Sequence, residues 1–475
     1  MIRLLYCLAF GLVVLPAVAP AADFATLVAQ CASPDPRTAI AACTDIIAAG
    51  DDMGAARFTA LTQRAAAELT VLETGAAIAD ETMALAINPQ SGHAFETRGH
   101  AYDLESNFSQ AAADEVRAAQ LLPHDPQPVY WLGRIENNTR SFKKAIADES
   151  KAISLAPDRA DAYIERAEAY DGLRDPDAAQ KDFAVGLTID PANIYGRLMR
   201  GDDYFEAKRY DLSMSDFNEV LAHDPGNPFA RAGLGFNFQA TGDHRRAISA
   251  LSEAILYPGI PTTPLSHWIS ERGFAYAASG SQERAIADFT AAITLDPKDF
   301  SAYAGRAAAY RRKRDYRHAV KDDETAIALS PRYKYGYSGL ALIYAAQKNY
   351  ALAARFDAKV VALDPRNGEA WNSLCWNRAL SGQLGAAIAS CRKAVTLAPT
   401  DQDAWDSYGY VYLKRHDDLI AIRYYSKALS IDPGLASSLY GRALAEQGLG
   451  EMAKGAADRA AAIKIEPDIV TSFGT

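Results

Sequence analysis

The stretch Gln402–Pro433, QDAWDSYGYVYLKRHDDLIAIRYYSKALSIDP, holds two amphipathic helices and the signal that ends the second. Trp405, Gly409 and Tyr412 are spaced to share one helix face, and Ala421, Tyr425 and Ala428 do the same further on. Pro433 closes the second helix because it has no N–H to continue the hydrogen-bond ladder. Gly409 and Ala421 are small, which lets two antiparallel backbones approach closely. The stretch therefore reads as a helical hairpin.

The hairpin recurs along the chain. Prolines stand 34 residues apart from Pro89 through Pro123, Pro157 and Pro191 to Pro225, and again from Pro297 through Pro331, Pro365, Pro399 and Pro433 to Pro467. The gap from Pro225 to Pro297 is two periods plus four residues, and the extra four fall near Gly259–Leu265. With Phe58 as position 1, twelve repeats begin at residues 58, 92, 126, 160, 194, 228, 266, 300, 334, 368, 402 and 436. Position 8 is small in all twelve, and position 20 is alanine in ten. Such a period signals a solenoid of stacked units. The fold class is all-α, with about twelve full repeats and one shortened N-terminal pair over Phe24–Gly50.

In the repeat at Gln402, the residues Trp405, Tyr408, Gly409, Tyr412, Ala421, Tyr425, Ala428 and Pro433 resemble the tetratricopeptide repeat. The resemblance covers residues 58 to about 469. It implies a right-handed superhelical solenoid of antiparallel helix pairs, with the first helices lining a concave groove, and a scaffold or adaptor role. The expected organisation is a signal peptide over 1–21, a cap over 22–57, repeats 1–6 over 58–261, repeats 7–12 over 262–469 and a tail over 470–475. The Pro-rich insertion, with Pro258, Pro261 and Pro264, is expected to deny helix and to form either a joint between the two arrays or a simple loop bulge.

The N-terminus reads as an export signal: Arg3, an apolar run from Leu4 to Leu15, then Ala19-Pro20-Ala21, with cleavage expected before Ala22. The apolar run is shorter than the ~20 residues a spanning helix needs, so no stable membrane insertion is expected. Cys31, Cys43, Cys375 and Cys391 then remain as two local pairs spaced 12 and 16 residues, which suits disulfides in an exported chain. Cys375 and Cys391 occupy positions 8 and 24, face to face across one hairpin. The periplasm is the expected compartment.

Chemistry is not expected. A net charge of −10 argues against nucleic acid as a partner. Phosphate-loop and HExxH motifs are absent. His93, Glu96 and His100 share a helix face but read better as a solvated surface than as a metal site. No cofactor, no metal and no appended catalytic domain after Pro467 are expected.

Seven repeats combine Arg at position 7 with Asp at position 23: Arg64 with Asp80, Arg98 with Asp114, Arg166 with Asp182, Arg200 with Asp216, Arg272 with Asp288, Arg306 with Asp322 and Arg442 with Asp458. Four of the five repeats without the Arg also lack the Asp, and only the repeat with Leu132 and Asp148 breaks the rule. Facing positions in an antiparallel hairpin sum to a near constant, so these residues should meet as ion pairs.

By the resemblance, positions 2, 5, 9 and 12 form the groove wall. Position 9 is Ala66, His100, Arg134, Glu168 and Asp202 in the first five repeats. From the sixth it turns largely apolar, with Phe236, Phe274, Leu342, Trp376, Tyr410 and Leu444, while Phe229 and Tyr335 add rings at position 2. This row is the expected partner-binding strip, unless it packs as ordinary core. Two functions stay open: a periplasmic scaffold binding a protein or peptide, and an accessory of polysaccharide or other envelope-polymer export. Polymer guidance should set aromatic rings beside acidic groups in a track, whereas protein binding should show a compact apolar strip.

Overall fold

The structure is a computed structural model describing residues 23–49 and 54–473. The expected export signal and its cleavage point before Ala22 lie outside the described residues. These hold 27 helices and no strand. A short pair, Phe24–Cys31 and Pro36–Ala48, comes first. Twelve helix–turn–helix units follow, from Gly54–Thr70 with Thr74–Ile87 to Ala436–Gly448 with Met452–Ile465, and a last turn of helix covers Ile469–Ser472. Packing divides the chain into two units, one ending at Arg209 and the other starting at Tyr210. None of the described helices is long and apolar enough to cross a membrane.

Within each unit the hairpins close on small residues. Ala77, Ala111, Ala145 and Ala179 in the first unit, and Ala247, Ala285, Ala319, Ala353, Ala387 and Ala421 in the second, are completely buried. All ten are the alanine of position 20. Tyr425 shows why position 8 must stay small: a Cβ on Gly409 would lie 2.8 Å from the tyrosine ring. Overpacking of that kind costs about 1–3 kcal/mol.

Each inter-helix turn ends on a residue with positive φ at position 15. Glycine serves in four repeats, at Gly242, Gly280, Gly382 and Gly450, and non-glycine residues serve in the other eight, for example Ser106, Arg174, Lys348 and His416. The next N–H reaches back to the carbonyl five residues earlier, as in Asn107 to Tyr102 (2.8 Å) and Asp417 to Tyr412 (3.0 Å). This left-handed cap satisfies the last carbonyls of the first helix.

Six Arg–Asp pairs close inside the units with forked geometry. Between Arg272 and Asp288, Nε donates to Oδ2 at 2.8 Å and Nη2 to Oδ1 at 2.9 Å. The same fork joins Arg64 to Asp80, Arg98 to Asp114, Arg166 to Asp182, Arg306 to Asp322 and Arg442 to Asp458, with Nε–Oδ2 distances of 2.5–2.7 Å. Of the seventh pair, Arg200 belongs to the first unit and Asp216 to the second. The carboxylates are interior groups and not surface charges. Asp80, Asp114, Asp182, Asp288 and Asp322 are buried, and Asp458, in the last repeat, is half-buried. The remaining guanidinium nitrogen, Nη1, donates to a hydroxyl of the preceding helix pair: Thr44, Thr82, Ser150, Ser252, Thr290 or Ser426, at 2.9–3.2 Å. Each arginine thus ties its own hairpin and the one before it. The exception is also explained: Asp148 has no arginine opposite and lies against Glu136; burial raises both carboxyls, the Asp148 charge and hydrogen bond raise Glu136 further, and the same hydrogen bond works against the rise in Asp148. In the repeat at Gln402, the two positions hold Tyr408 and Tyr424, stacked at 4.1 Å.

Cys31–Cys43 and Cys375–Cys391 are disulfides, with Cα separations of 4.8 and 5.1 Å. Cys375 and Cys391 are fully buried at the closest approach of their hairpin. Reducing this bond is expected to cost roughly 3 kcal/mol. Urea unfolding of the Cys375→Ala/Cys391→Ala protein measures it, and an unchanged midpoint would reject a stabilising role.

The Pro-rich insertion lies inside the second unit, where Pro258 and Pro261 stand outside helix as expected and Pro264 does not. Thr262–Ala278 is a helix of 17 residues, against 13 for Pro228–Ala240 in the repeat before. The extra residues lengthen the helix at its start. Pro264 is accommodated because it is the third residue, where an N–H has no intrahelical partner. Beyond it Trp268 is buried against Ala232, Leu251 and Ala254 of the preceding repeat.

Candidate functional site

The apolar row in the second unit is not uniform. Phe229, Tyr335 and Leu342 are exposed, at 47%, 60% and 51%. Phe236, Phe274, Trp376 and Leu444 are half-buried. Phe274 sets its ring edge-on to the buried Phe289 at 4.8 Å and packs as core. Phe236 lies beside His267 at 5.3 Å, and Phe229 meets Trp268 edge-on at 5.4 Å. Leu444 packs on the cluster around Leu439 and Tyr440.

Tyr410 is a correction: it is only 5% exposed and is no open member of the strip. Phe473, just past the last helix, lies 5.6 Å from Tyr410 and 5.1 Å from Tyr440, and Trp376 covers the other side at 4.8 Å. The tail thus fills that end of the wall. Because Phe473 falls outside the repeat, no positional rule pointed to it. The ion-pair aspartates are likewise no part of a binding surface. Asp80, Asp114, Asp182 and Asp322 are closed off inside their hairpins, and Asp458 has both oxygens engaged by Arg442. Their role is in the fold.

Three members of the row converge. Tyr335, Leu342 and Trp376 line a cleft of 540 Å³ between the helices Lys334–Ala346 and Gly368–Leu380. Its floor is Asp357, from the helix Tyr350–Leu363, and Asn377. Asn377 Nδ2 donates to Asp357 Oδ2 at 2.7 Å. Burial pushes the Asp357 carboxyl up to about 6, against the lowering effect of that hydrogen bond. At the rim, Lys334 is engaged with Asp364 at 2.6 Å.

The wall of the first unit is polar. His100 stacks on Trp131 at 4.3 Å, and the Arg134 guanidinium lies 4.9 Å from the Trp131 ring and 3.5 Å from Asp103. Tyr195 donates its hydroxyl hydrogen to Glu168 at 2.7 Å, and Asn137 donates to Glu165 at 3.1 Å. Desolvation first, and then Asp203, push Asp171 up to about 7. His93 and Glu96 converge with Asp125 rather than with His100, the ligand atoms lying within 4.8 Å. Asp125 already caps its helix, accepting from the Gln127 N–H at 2.9 Å.

Sequence comparison identifies the repeat directly. The tetratricopeptide repeat family matches residues 160–193 and 271–299. No curated protein matches the chain. Among solved structures, the APC/C hetero-tetramer Cut9–Hcn1 is 15% identical, with 91% of each chain covered and a TM-score of 0.48. YrrB, a TPR protein with an unusual peptide-binding site, is 21% identical over 38% of this chain and 94% of its own, with a TM-score of 0.34. A tetratricopeptide repeat protein from Parabacteroides merdae is 18% identical over 54% of this chain and 99% of its own, at 0.42. Two segments of this chain match the tetratricopeptide repeat, and the run of helix pairs forms a solenoid of that kind. Proteins of that class are typically scaffolds without catalysis.

Proposed function

We propose that this protein is a non-catalytic periplasmic scaffold that holds an extended segment of a partner protein in the cleft of its second unit. The observation that carries the reading is the convergence of exposed Tyr335 and Leu342 with Trp376 on one 540 Å³ cleft. A contiguous apolar surface left open to water, with aromatic anchors in a concavity, is where binding energy concentrates. Two disulfides fit an oxidising compartment, as does the export-type sequence of residues 1–21. Recovery of the full chain with cytoplasmic enzymes on fractionation would overturn that location.

The test is Tyr335→Ala with Leu342→Ala. Both side chains are more than half exposed, so the fold should keep its unfolding midpoint. Phe274 is unsuitable because its removal would cut into the core. The double variant should lose at least tenfold in affinity for peptides selected on the wild-type chain from a displayed random library. Unchanged binding would reject the cleft.

A second reading, guidance of an envelope polysaccharide, rests on the first unit. There Trp131, His100 and Tyr195 sit among Asp103, Glu165 and Glu168. Rings beside acidic groups are what sugar stacking and hydroxyl hydrogen bonding use. A glycan array decides it: retention abolished by Trp131→Ala supports this reading, and no retention by the wild type removes it.

A further inference from the structure

Asp357 and Asn377 form the floor of the cleft, and their polar atoms are incompletely satisfied. Both are more than nine-tenths buried, at 5% and 6% exposure. The Asn377 amide nitrogen is used on Asp357. Its Oδ1 is buried without a hydrogen-bond partner among the described residues. An unpaired buried acceptor costs about 1–3 kcal/mol. Among the described residues no cation stands beside Asp357. The cleft's own cation, Lys334, is bound to Asp364, and the other charged lining residue is Glu369, an acid at the rim. The remaining lining groups that the three helices offer are Ser338 and Ser373, the rings of Tyr335 and Trp376, and aliphatic carbons. The cleft therefore has an uncompensated carboxylate at its floor, held by Asn377, in a lining that also contains the rings of Tyr335 and Trp376.

We propose that this cleft takes a lysine or arginine side chain of the bound partner segment, its cationic N–H groups donating to the Asp357 carboxylate, with the rings of Tyr335 and Trp376 in the same lining. This specificity rests on the cleft being the binding site. The chemistry favours a cation at the carboxylate, although the Lys334 ammonium already lies 5.4 Å from the Tyr335 ring. An ammonium or guanidinium has only donors, and the floor needs donors. A cation held against aromatic faces gains further attraction when desolvated. A buried carboxylate repels an acidic guest, is desolvated further by an apolar one, and is relieved by a basic one. Because burial holds Asp357 up at about 6, the capture is pH-dependent. Acidification toward pH 5 neutralises the carboxyl and removes the charge that the guest pairs with.

Selection from a displayed random peptide library on the full chain at pH 7.5 tests this. Enriched peptides should carry one lysine or arginine among apolar residues. Asp357→Asn, close to isosteric, should erase the basic preference and still select apolar peptides. A selected lysine peptide should bind the wild type about tenfold more weakly at pH 5 than at pH 7.5, as expected for a carboxyl titrating near 6. This second measurement needs no variant to fold. Apolar peptides enriched without a basic residue, a basic preference kept by Asp357→Asn, or affinity independent of pH would each overturn the inference while leaving the cleft as a binding site. Failure to enrich any peptide, or enrichment indifferent to Tyr335→Ala with Leu342→Ala, would overturn the cleft reading and the inference with it.

Discussion

Replacing Arg272 with leucine is expected to destabilise the protein by about 3–5 kcal/mol, the cost of breaking a largely buried ion pair from one side. The substitution strands Asp288, which is 8% exposed, and removes the donor to Ser252 of the preceding repeat. Replacing Arg272 and Asp288 together by leucine should restore most of the loss, to within about 1 kcal/mol of the wild type, because no charge is then left buried alone. The repeats starting at 228, 334 and 368 already place Leu234, Leu340 and Leu374 at the arginine position, and all three are buried. Urea unfolding of the wild type, the two single variants and the double variant gives the coupling energy. A double variant as unstable as Arg272→Leu would show that the pair matters through something other than its charges. A fourth variant, Ser252→Ala, isolates the link between neighbouring repeats and should cost about 1 kcal/mol.

That link was legible in the sequence, although pairing within one repeat did not expose it. Thr82, Ser150, Ser252, Thr290 and Ser426 share position 25, and each precedes a repeat whose position 7 is arginine. Val116, Asn218, Glu324, Ala358 and Arg392 hold position 25 before the repeats that lack it, and Ala184, before the repeat of Arg200, is the exception. The signal crosses a repeat boundary, so it emerges only when each unit is compared with its successor. The depth of the pairs was not legible either. Asp80 and Asp322 read in sequence as charges on a helix, yet in the fold they are only 3% and 4% exposed. The helices and their pairing were legible for the opposite reason: small residues at positions 8 and 20 and the terminal proline act locally and recur unchanged. The turns were less so. A left-handed residue is needed at position 15, yet most repeats meet that need without glycine, and Arg174 or Lys348 in a sequence announces nothing of the kind.

The site was legible only in outline. Position 9 located Leu342 and Trp376, and position 2 located Tyr335, but what makes the cleft chemically specific is a core position. Position 24 holds Phe183, Phe217, Leu251, Phe289 and Tyr425, large side chains that fill the hairpin. Asp357 occupies the same position with a short carboxyl, and the unfilled volume opens beside it. A carboxylate at a core position was the available signal, but Glu81, Glu115, Glu149 and Asp323 share position 24, so it did not single out this cleft. Tyr410 went the other way, because its cover, Phe473, belongs to no repeat.

The same position in the first unit carries the second large effect. Glu115 and Glu149 are fully buried, and neither oxygen of either carboxyl has a hydrogen-bond partner among the described residues. Burial first, and then the neighbouring Glu96 for Glu115 and Glu165 for Glu149, push both up to about 10. Both are therefore neutral acids in the folded protein at pH 7, whereas the unfolded chain ionises them near 4.5. Between these limits the folded state binds more protons, so stability is fully present below about 4.5 and falls as pH rises toward 10. The slope is about 1.4 kcal/mol per pH unit for each group. Glu149→Gln keeps the shape and removes the titration. It should stabilise the protein at pH 7 by on the order of 3 kcal/mol, with no gain at pH 4. Unfolding free energies measured from pH 4 to 9 should show a shallower decline for Glu149→Gln, and shallower again with Glu115→Gln added. A wild-type slope left unchanged by both substitutions would mean that these carboxyls find partners or water in solution and ionise normally.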